Sequence, residues 1–143
     1  MNDAEVIAAR IRTSVTTVYP DVAVDMWIEG SAQVLSFVPV NDDAASVTVT
    51  VSGSIVVEAM FFKEDLAEQG SLEKQTTMAI GIVLSLADNG LAKVRQPLPQ
   101  FPFTEVVYGP ASGYWGIDEL ALTLLGQPVQ VLGPWSTHVP DSD

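Results

Sequence analysis

The chain has 143 residues, of which 48% are hydrophobic, with 6 Lys and Arg against 18 Asp and Glu. This length fits one domain, and the hydrophobic fraction is too high for a disordered acidic chain. The formal net charge of −12 excludes direct nucleic-acid binding, because the few cations form no basic stripe to neutralise phosphates. The absence of Cys also excludes disulfides, thiolate nucleophiles and Cys-rich zinc sites.

The start of the chain and its hydropathy pattern predict a soluble, cytoplasmic protein. The first five residues include two acids and lack the basic segment and apolar core of a signal peptide. No apolar stretch reaches the roughly 18 residues that a membrane span needs. We therefore expect no membrane contact.

The hydrophobic period of the first 62 residues changes at Pro20. Apolar residues recur at helical spacing over residues 3–18, which predicts an amphipathic helix. After Pro20 the period becomes two, and strands are predicted at 22–29, 33–38, 46–52 and 55–62. In the first strand we expect Val24, Met26 and Ile28 on the buried face. Short turns join the strands in order, so the pattern predicts an antiparallel meander.

A long helix is predicted at 71–89, with Ser71 as its N-cap and Gly90 at its C-terminal end. Its second half, 78–87, is apolar nearly all round and must be buried against the sheet and against the first helix or a second subunit. This pattern slightly favours a homodimer. Gly81 costs about 1 kcal/mol relative to Ala inside a helix, which indicates a close approach to the sheet.

The C-terminal third has a less regular pattern. The proline-rich run 96–102 is predicted to extend over the surface, outside any central strand. Strands are predicted at 103–108 and 129–132, a short helix at 118–125, and a flexible tail at 134–143. The predicted fold is a single α+β domain, with an N-terminal helix, a four-stranded antiparallel meander packed against a long helix, and a mixed C-terminal part.

No group of residues in the sequence indicates catalysis. His138 is the single His and lies in the predicted tail, without a serine elbow or a rigid position for a triad. Asp42 and Asp43 lack the spacing of a calcium loop. Asp118 and Glu119 are explained as the start of the short helix. We expect no enzyme activity, no metal and no cofactor.

Aromatic side chains fall on acidic faces of the predicted strands. Trp27 shares a strand face with Asp25 and Glu29. Trp and Tyr are favoured binding anchors, and acidic residues around them steer a basic partner. The pattern predicts a surface that binds a basic protein. The alternative is that a helix covers Trp27, which then belongs to the core.

Two further groups of residues extend this predicted surface. Met60 and Phe62 share the face of Glu58 in the fourth strand, and an ordered meander would place that face beside Trp27; the alternative again is that Phe62 lies in the core. A glycine-rich loop before the short helix adds two more aromatic side chains. The predicted partner-binding residues are Asp25, Trp27, Glu29, Glu58, Tyr114, Trp115, Asp118 and Glu119.

In the order of its elements the chain resembles small acidic bacterial binding proteins such as type III secretion chaperones and YbjN-like domains. In size, charge and lack of catalytic residues it is similar to immunity proteins of bacterial toxin systems. The resemblance covers element order and composition only, so no site residue carries over. It implies a non-catalytic module that masks the basic surface of a toxin. The alternatives are a secretion chaperone that holds an unfolded segment, a small-ligand binder or carboxylate-dependent enzyme, and a phage structural or assembly protein.

Overall fold

The structure is a computed structural model that describes residues 3–60, 62–98, 101–108 and 127–135. Its elements are α1 Asp3–Val18, β1 Ala23–Glu29, β2 Ala32–Val38, β3 Val47–Val51, β4 Ile55–Ala59, β5 Phe62–Asp65, α2 Leu72–Asn89, β6 Leu91–Leu98, β7 Phe101–Tyr108 and β8 Gln127–Leu132. Strands β1 to β5 form an antiparallel sheet in chain order, and β6 lies between β7 and β8 in a second sheet. The α+β class is confirmed, with five strands in the meander instead of four.

The fifth strand arises because the predicted strand 55–62 turns near its end, at Met60. β4 ends at Ala59, and Met60 has a φ of 47°, in the left-handed region. The chain returns as β5, where Phe62 stands opposite Ala59 and is buried in the core. The prediction that Met60 and Phe62 share a strand face with Glu58 is wrong, because the turn interrupts the two-residue alternation.

The core lies between the two helices and one face of the five-stranded sheet. α1 packs against α2, β2 and β3, while α2 also packs against β4. Along β3, Val47, Val49 and Val51 are fully buried and the threonines between them are half-buried. This is the alternation of a strand with one covered face. The helices contribute Ala8, Ile11, Val15, Ala79, Val83, Leu86 and Ala87 to the core.

β1 lies at the edge of the first sheet, and its predicted buried face is only partly covered. Val24 is half-buried, whereas Met26 is 38% exposed and Ile28 is 66% exposed. The expectation that all three are buried is therefore wrong for Met26 and Ile28. The reason is geometric, because two packed helices cover about 20 Å of a sheet whose strands are about 4.8 Å apart, which is roughly four strands.

α2 has the predicted bounds and the predicted N-cap. The Ser71 side chain accepts a hydrogen bond from the backbone N–H of Lys74 at 3.2 Å. Every large apolar side chain of α2 is buried or half-buried, with α1 and the sheet packed against the helix. The apolar stretch 78–87 is thus covered within the chain and provides no argument for a homodimer.

The two glycines of this region have different roles. Gly81 is exposed, and a Cβ there would meet no atom within 4 Å, so the expected close approach to the sheet is wrong. Gly90 has a φ of 79°, and a Cβ there would collide with the backbone carbonyl of Leu132. Its N–H donates to the Leu86 carbonyl at 2.9 Å and ends the helix.

Trp135 closes the core at the C-terminal side of the described chain. The side chain is 5% exposed, and its indole N–H donates to the Ala45 carbonyl at 3.1 Å. Its backbone N–H donates to the Ala87 carbonyl at 2.8 Å. The ring packs edge-on against Tyr19 at 5.3 Å and at a tilt against Phe37 at 6.1 Å. This residue therefore joins the segment after β8 to α2 and to the first sheet.

The segment before Trp135 is also fixed, so the predicted flexible tail does not begin at residue 134. Asn41 donates a side-chain hydrogen bond to the Pro134 carbonyl at 2.8 Å. The backbone N–H of Gly133 donates to the Asp43 carbonyl at 3.0 Å. The rest of the predicted tail, 136–143, lies outside the described residues.

The proline-rich run 96–102 lies largely in the β6–β7 hairpin. The strands pair antiparallel, with a register shift between Gln96 and Leu98. Pro97 lacks a backbone N–H and stands at this irregularity in β6. Arg95 is the last β6 residue that pairs with β8, so this run lies in strands but outside the part of β6 that has a neighbour on both sides. The predicted short helix at 118–125 lies outside the described residues.

The two glycines provide a matched pair of substitutions. Gly90→Ala is expected to lower the free energy of unfolding by about 1–3 kcal/mol or more, because Ala is strained at positive φ and its Cβ has no space. Gly81→Ala is expected to raise it by about 0.5–1 kcal/mol, because an exposed helix interior favours Ala. Urea denaturation measures both changes, and effects of equal sign would contradict these assignments.

Truncation of Trp135 is expected to be among the most destabilising single changes. Trp135→Ala leaves a cavity in the core and should cost about 3–5 kcal/mol of unfolding free energy. Val40→Ala is the control, because Val40 is 73% exposed and surface changes stay within about 0.5 kcal/mol. Chemical denaturation checks both values. A Trp135→Ala variant as stable as the control would show that the ring does not close the core.

Candidate functional site

The structure places Asp25, Trp27 and Glu29 on the outer face of β1, away from the helices. Pairing with β2 sets Trp27 opposite Val34 and Asp25 opposite Ser36. The residues of β1 that alternate with them stand opposite the helix-facing residues of β2. The three predicted site residues of this strand therefore share one surface, called here the β1 outer face.

Trp27 is held in a defined position on this face. Its indole N–H donates to Glu29 Oε1 at 3.1 Å, and the side chain remains 40% exposed. Val34, directly opposite, is 3% exposed although it lies outside the core cluster. The register places the Trp27 side chain beside Val34 on this face. The alternative in which Trp27 belongs to the core is therefore wrong, and its hydrogen-bonded ring stays partly exposed on the sheet surface.

Glu58 lies on the same sheet face but in a different region of it. One cross-strand row contains Asp25, Ser36, Thr48, Glu58 and Lys63. Three strand spacings of about 4.8 Å separate Asp25 from Glu58, which is about 14 Å. Lys63 stands directly opposite Glu58 and offsets its charge. The negative charge beside Trp27 is therefore supplied by β1 itself.

Charge is distributed unequally between the two faces of β1. Among the residues that the structure describes, Asp25 and Glu29 form no salt bridge. Arg12 of α1 contacts the strand from the helix side, where its guanidinium donates a hydrogen bond to Met26 Sδ at 3.4 Å. A ligand on the outer face thus meets acids, and a ligand on the helix side meets apolar side chains near a cation.

Four predicted site residues and the single histidine fall outside the described part of the chain. The structure therefore neither joins them to the β1 outer face nor separates them from it, and they stay predictions. These residues are Tyr114, Trp115, Asp118, Glu119 and His138.

The described residues contain few groups of chemically active side chains besides this surface. Within the ranges given above, no three His, Asp or Glu residues are grouped so that they could hold a metal ion. Neither α1 nor α2 is long and apolar enough to cross a bilayer. The arrangement around Trp27 can bind a ligand through an aromatic ring, two carboxylates and a strand edge.

A cleft of about 780 Å³ at the end of α1 is a feature that sequence reasoning missed. It is lined by the α1–β1 connection, the start of the β2–β3 loop and Trp135. Tyr19 lies in its wall and donates its hydroxyl hydrogen to Asp88. Burial, and then the hydrogen bond and charge of Asp88, raise the pKa of Tyr19. The sequence contains one sign of this cleft, namely Trp135 in the predicted tail. Such a large ring is usually covered by other residues, which favours packing of the chain around it against the core.

Comparisons of the chain with protein-family models, curated proteins and solved structures find no match.

The raised pKa of Tyr19 predicts a loss of stability at alkaline pH. The unfolded phenol ionises near its ordinary pKa of about 10, whereas the folded phenol stays protonated to higher pH. Between these values unfolding releases a proton, so the free energy of unfolding falls as the pH rises. Urea titrations of the wild type and Tyr19→Phe at about pH 8 and about pH 11 check this. The difference between their free energies of unfolding should be smaller at the higher pH. A stability difference that is the same at both pH values would contradict the raised pKa of Tyr19 in the folded protein.

Proposed function

We propose that the protein is a non-catalytic binding module that holds a basic protein partner on the β1 outer face. The observation that carries the proposal is Trp27, an exposed indole fixed by Glu29 on a strand that also presents Asp25. Trp is the residue most enriched among interface hot spots, and a fixed ring loses little conformational entropy on binding. A hydrogen-bonded aromatic anchor is therefore suited to supplying binding energy.

The charge of the chain supports a basic partner. The formal net charge is −12, and the two acids beside Trp27 are not neutralised by a salt bridge in the described residues. An acidic field accelerates the approach of a basic protein, and complementary charges near the anchor fix its orientation. Trp27 thus acts on the lifetime of the complex, and the acids act on the rate of association.

The most concrete form of this proposal is an immunity protein that masks the basic surface of a toxin. Its support is the combination of acidic composition, small size and an anchor for one folded partner. A secretion chaperone that holds an unfolded segment is the second candidate. One observation favours it, namely that β1 is an unpaired edge in the five-stranded sheet. An edge strand can bind a chain that has no fold of its own.

The expected effect of Trp27→Ala is a loss of about 2 kcal/mol in binding free energy, or about 30-fold in Kd. Most of this loss should appear as faster dissociation. The double variant Asp25→Lys with Glu29→Lys should slow association and reduce its salt dependence. The matched control is Glu68→Lys with Glu73→Lys, which changes the net charge equally at exposed positions away from this sheet face.

The measurement begins with capture of basic proteins from a cell extract by the immobilised wild type, followed by surface plasmon resonance with the purified partner. The proposal would be supported if the captured basic protein binds the wild type and the charge-matched control but binds neither β1 variant. A partner that binds the Trp27 and Asp25/Glu29 variants as tightly as the wild type would place the interface elsewhere. Far-UV circular dichroism establishes that each variant is folded.

A further inference from the structure

Among the residues that the structure describes, β1 is an edge strand that lacks two of the usual protections against pairing, a very short length and a Lys or Pro. Its seven residues pair with β2 alone in the first sheet, so alternate backbone N–H and C=O groups point away from that sheet. The opposite edge, β5, has only four residues, of which three are charged. β1 carries Met26, Trp27 and Ile28 in succession, all exposed, with no Lys or Pro. A long apolar edge of this kind is avoided in natural sheets unless something covers it.

The two faces of β1 would present different chemistry to a strand laid along this edge. On the outer face, Asp25 and Glu29 flank Trp27. On the helix face, Met26 and Ile28 are exposed. Side chains of a paired strand alternate between the same two faces, so every second residue would stand beside the acids and the others beside the apolar pair.

Arg12 determines which face suits a cation. Its guanidinium lies on the helix side of β1 and contacts Met26 Sδ. A Lys or Arg of an incoming strand would be repelled on that side and attracted by Asp25 and Glu29 on the outer side. An incoming strand therefore fits best when its cations point to the outer face and the residues between them, on the helix face, are apolar.

We propose that β1 binds an extended segment of the basic partner as a sixth strand of the sheet, and that this segment alternates Lys or Arg with apolar residues. Its cations lie beside Asp25 and Glu29, its apolar side chains lie beside Met26 and Ile28, and its backbone completes the hydrogen-bond ladder. The inference rests on the proposed function and specifies the local structure of the partner.

A second copy of the chain is the other strand that could pair with this edge. Antiparallel self-pairing would gather Asp25 and Glu29 of both copies on one face, in two molecules that each carry a net charge of −12. Like charges on neighbouring strands are destabilising. Charge complementarity therefore favours the alternating basic segment over self-pairing.

The test uses the full chain and two synthetic peptides with equal numbers of Lys and Val. One peptide alternates the two residues, and the other has all Lys residues in one block. Isothermal titration calorimetry is expected to give a Kd at least about tenfold lower for the alternating peptide. Hydrogen exchange followed by NMR is expected to show protection of alternate β1 amides when that peptide binds.

A matched pair of variants tests the helix face. Ile28→Lys places a cation beside the apolar positions of the incoming strand and is expected to remove the preference for the alternating peptide. Val40→Lys adds the same charge at another exposed apolar site and should preserve the preference. Because both residues are exposed, both variants are expected to fold.

The outcomes separate this inference from the proposed function. One outcome is that both peptides bind equally without protecting the β1 amides, and that this binding is lost in the Asp25/Glu29 variant. That result would overturn strand addition but would still support the acidic binding face. Absence of charge-dependent binding by either peptide, together with no captured basic protein, would overturn both. Protection of β1 amides that depends on protein concentration without peptide would assign the edge to a second copy and overturn the proposal.

Discussion

Two helices cover one face of a five-stranded sheet, and their limited width determines which strand keeps its apolar side chains exposed. α1 and α2 pack over β2, β3 and β4, where the valines of β3 are fully buried. β1 has the alternating pattern of a core strand but lies at the uncovered edge. Its apolar side chains reach the surface for this reason. The candidate site is thus a direct result of how the core is closed, and it needs no separate loop or insertion.

Asp25 and Glu29 have two physical effects on the apolar edge strand β1. Asp25 and Glu29 interrupt the apolar sequence of β1, and charged residues within such segments limit aggregation. Their charge also repels a second copy of this acidic chain while it attracts cations. Trp27 keeps its ring accessible between them through its hydrogen bond to Glu29. The acids of β1 therefore disfavour pairing between two copies at this edge and favour a cation beside Trp27.

Elements fixed by local chemistry could be predicted from the sequence, whereas lateral position in the sheet could not. Ser71 and Gly90 bound α2 as predicted, because caps act within one helical turn. The turn at Met60 has no Gly or Pro signal, and apolar residues continue through it. Pro97 stands in a strand because it lies at a register shift and beyond the last pair with β8, so no ladder hydrogen bond depends on its missing donor. Trp27 shares its face with its acidic neighbours because strands alternate, but its exposure depends on β1 being an edge.

Trp135 connects parts of the chain that are far apart in sequence. Its indole binds the carbonyl of Ala45, 90 residues earlier, and its ring packs against Tyr19 and Phe37. Contacts at such separation raise the contact order and form late in folding. During synthesis on the ribosome, the helices and the first sheet can assemble around a space that this ring has yet to fill. The growing chain therefore exposes this part of its core until residue 135 has left the ribosome and taken its place, however much of the sheet has formed before.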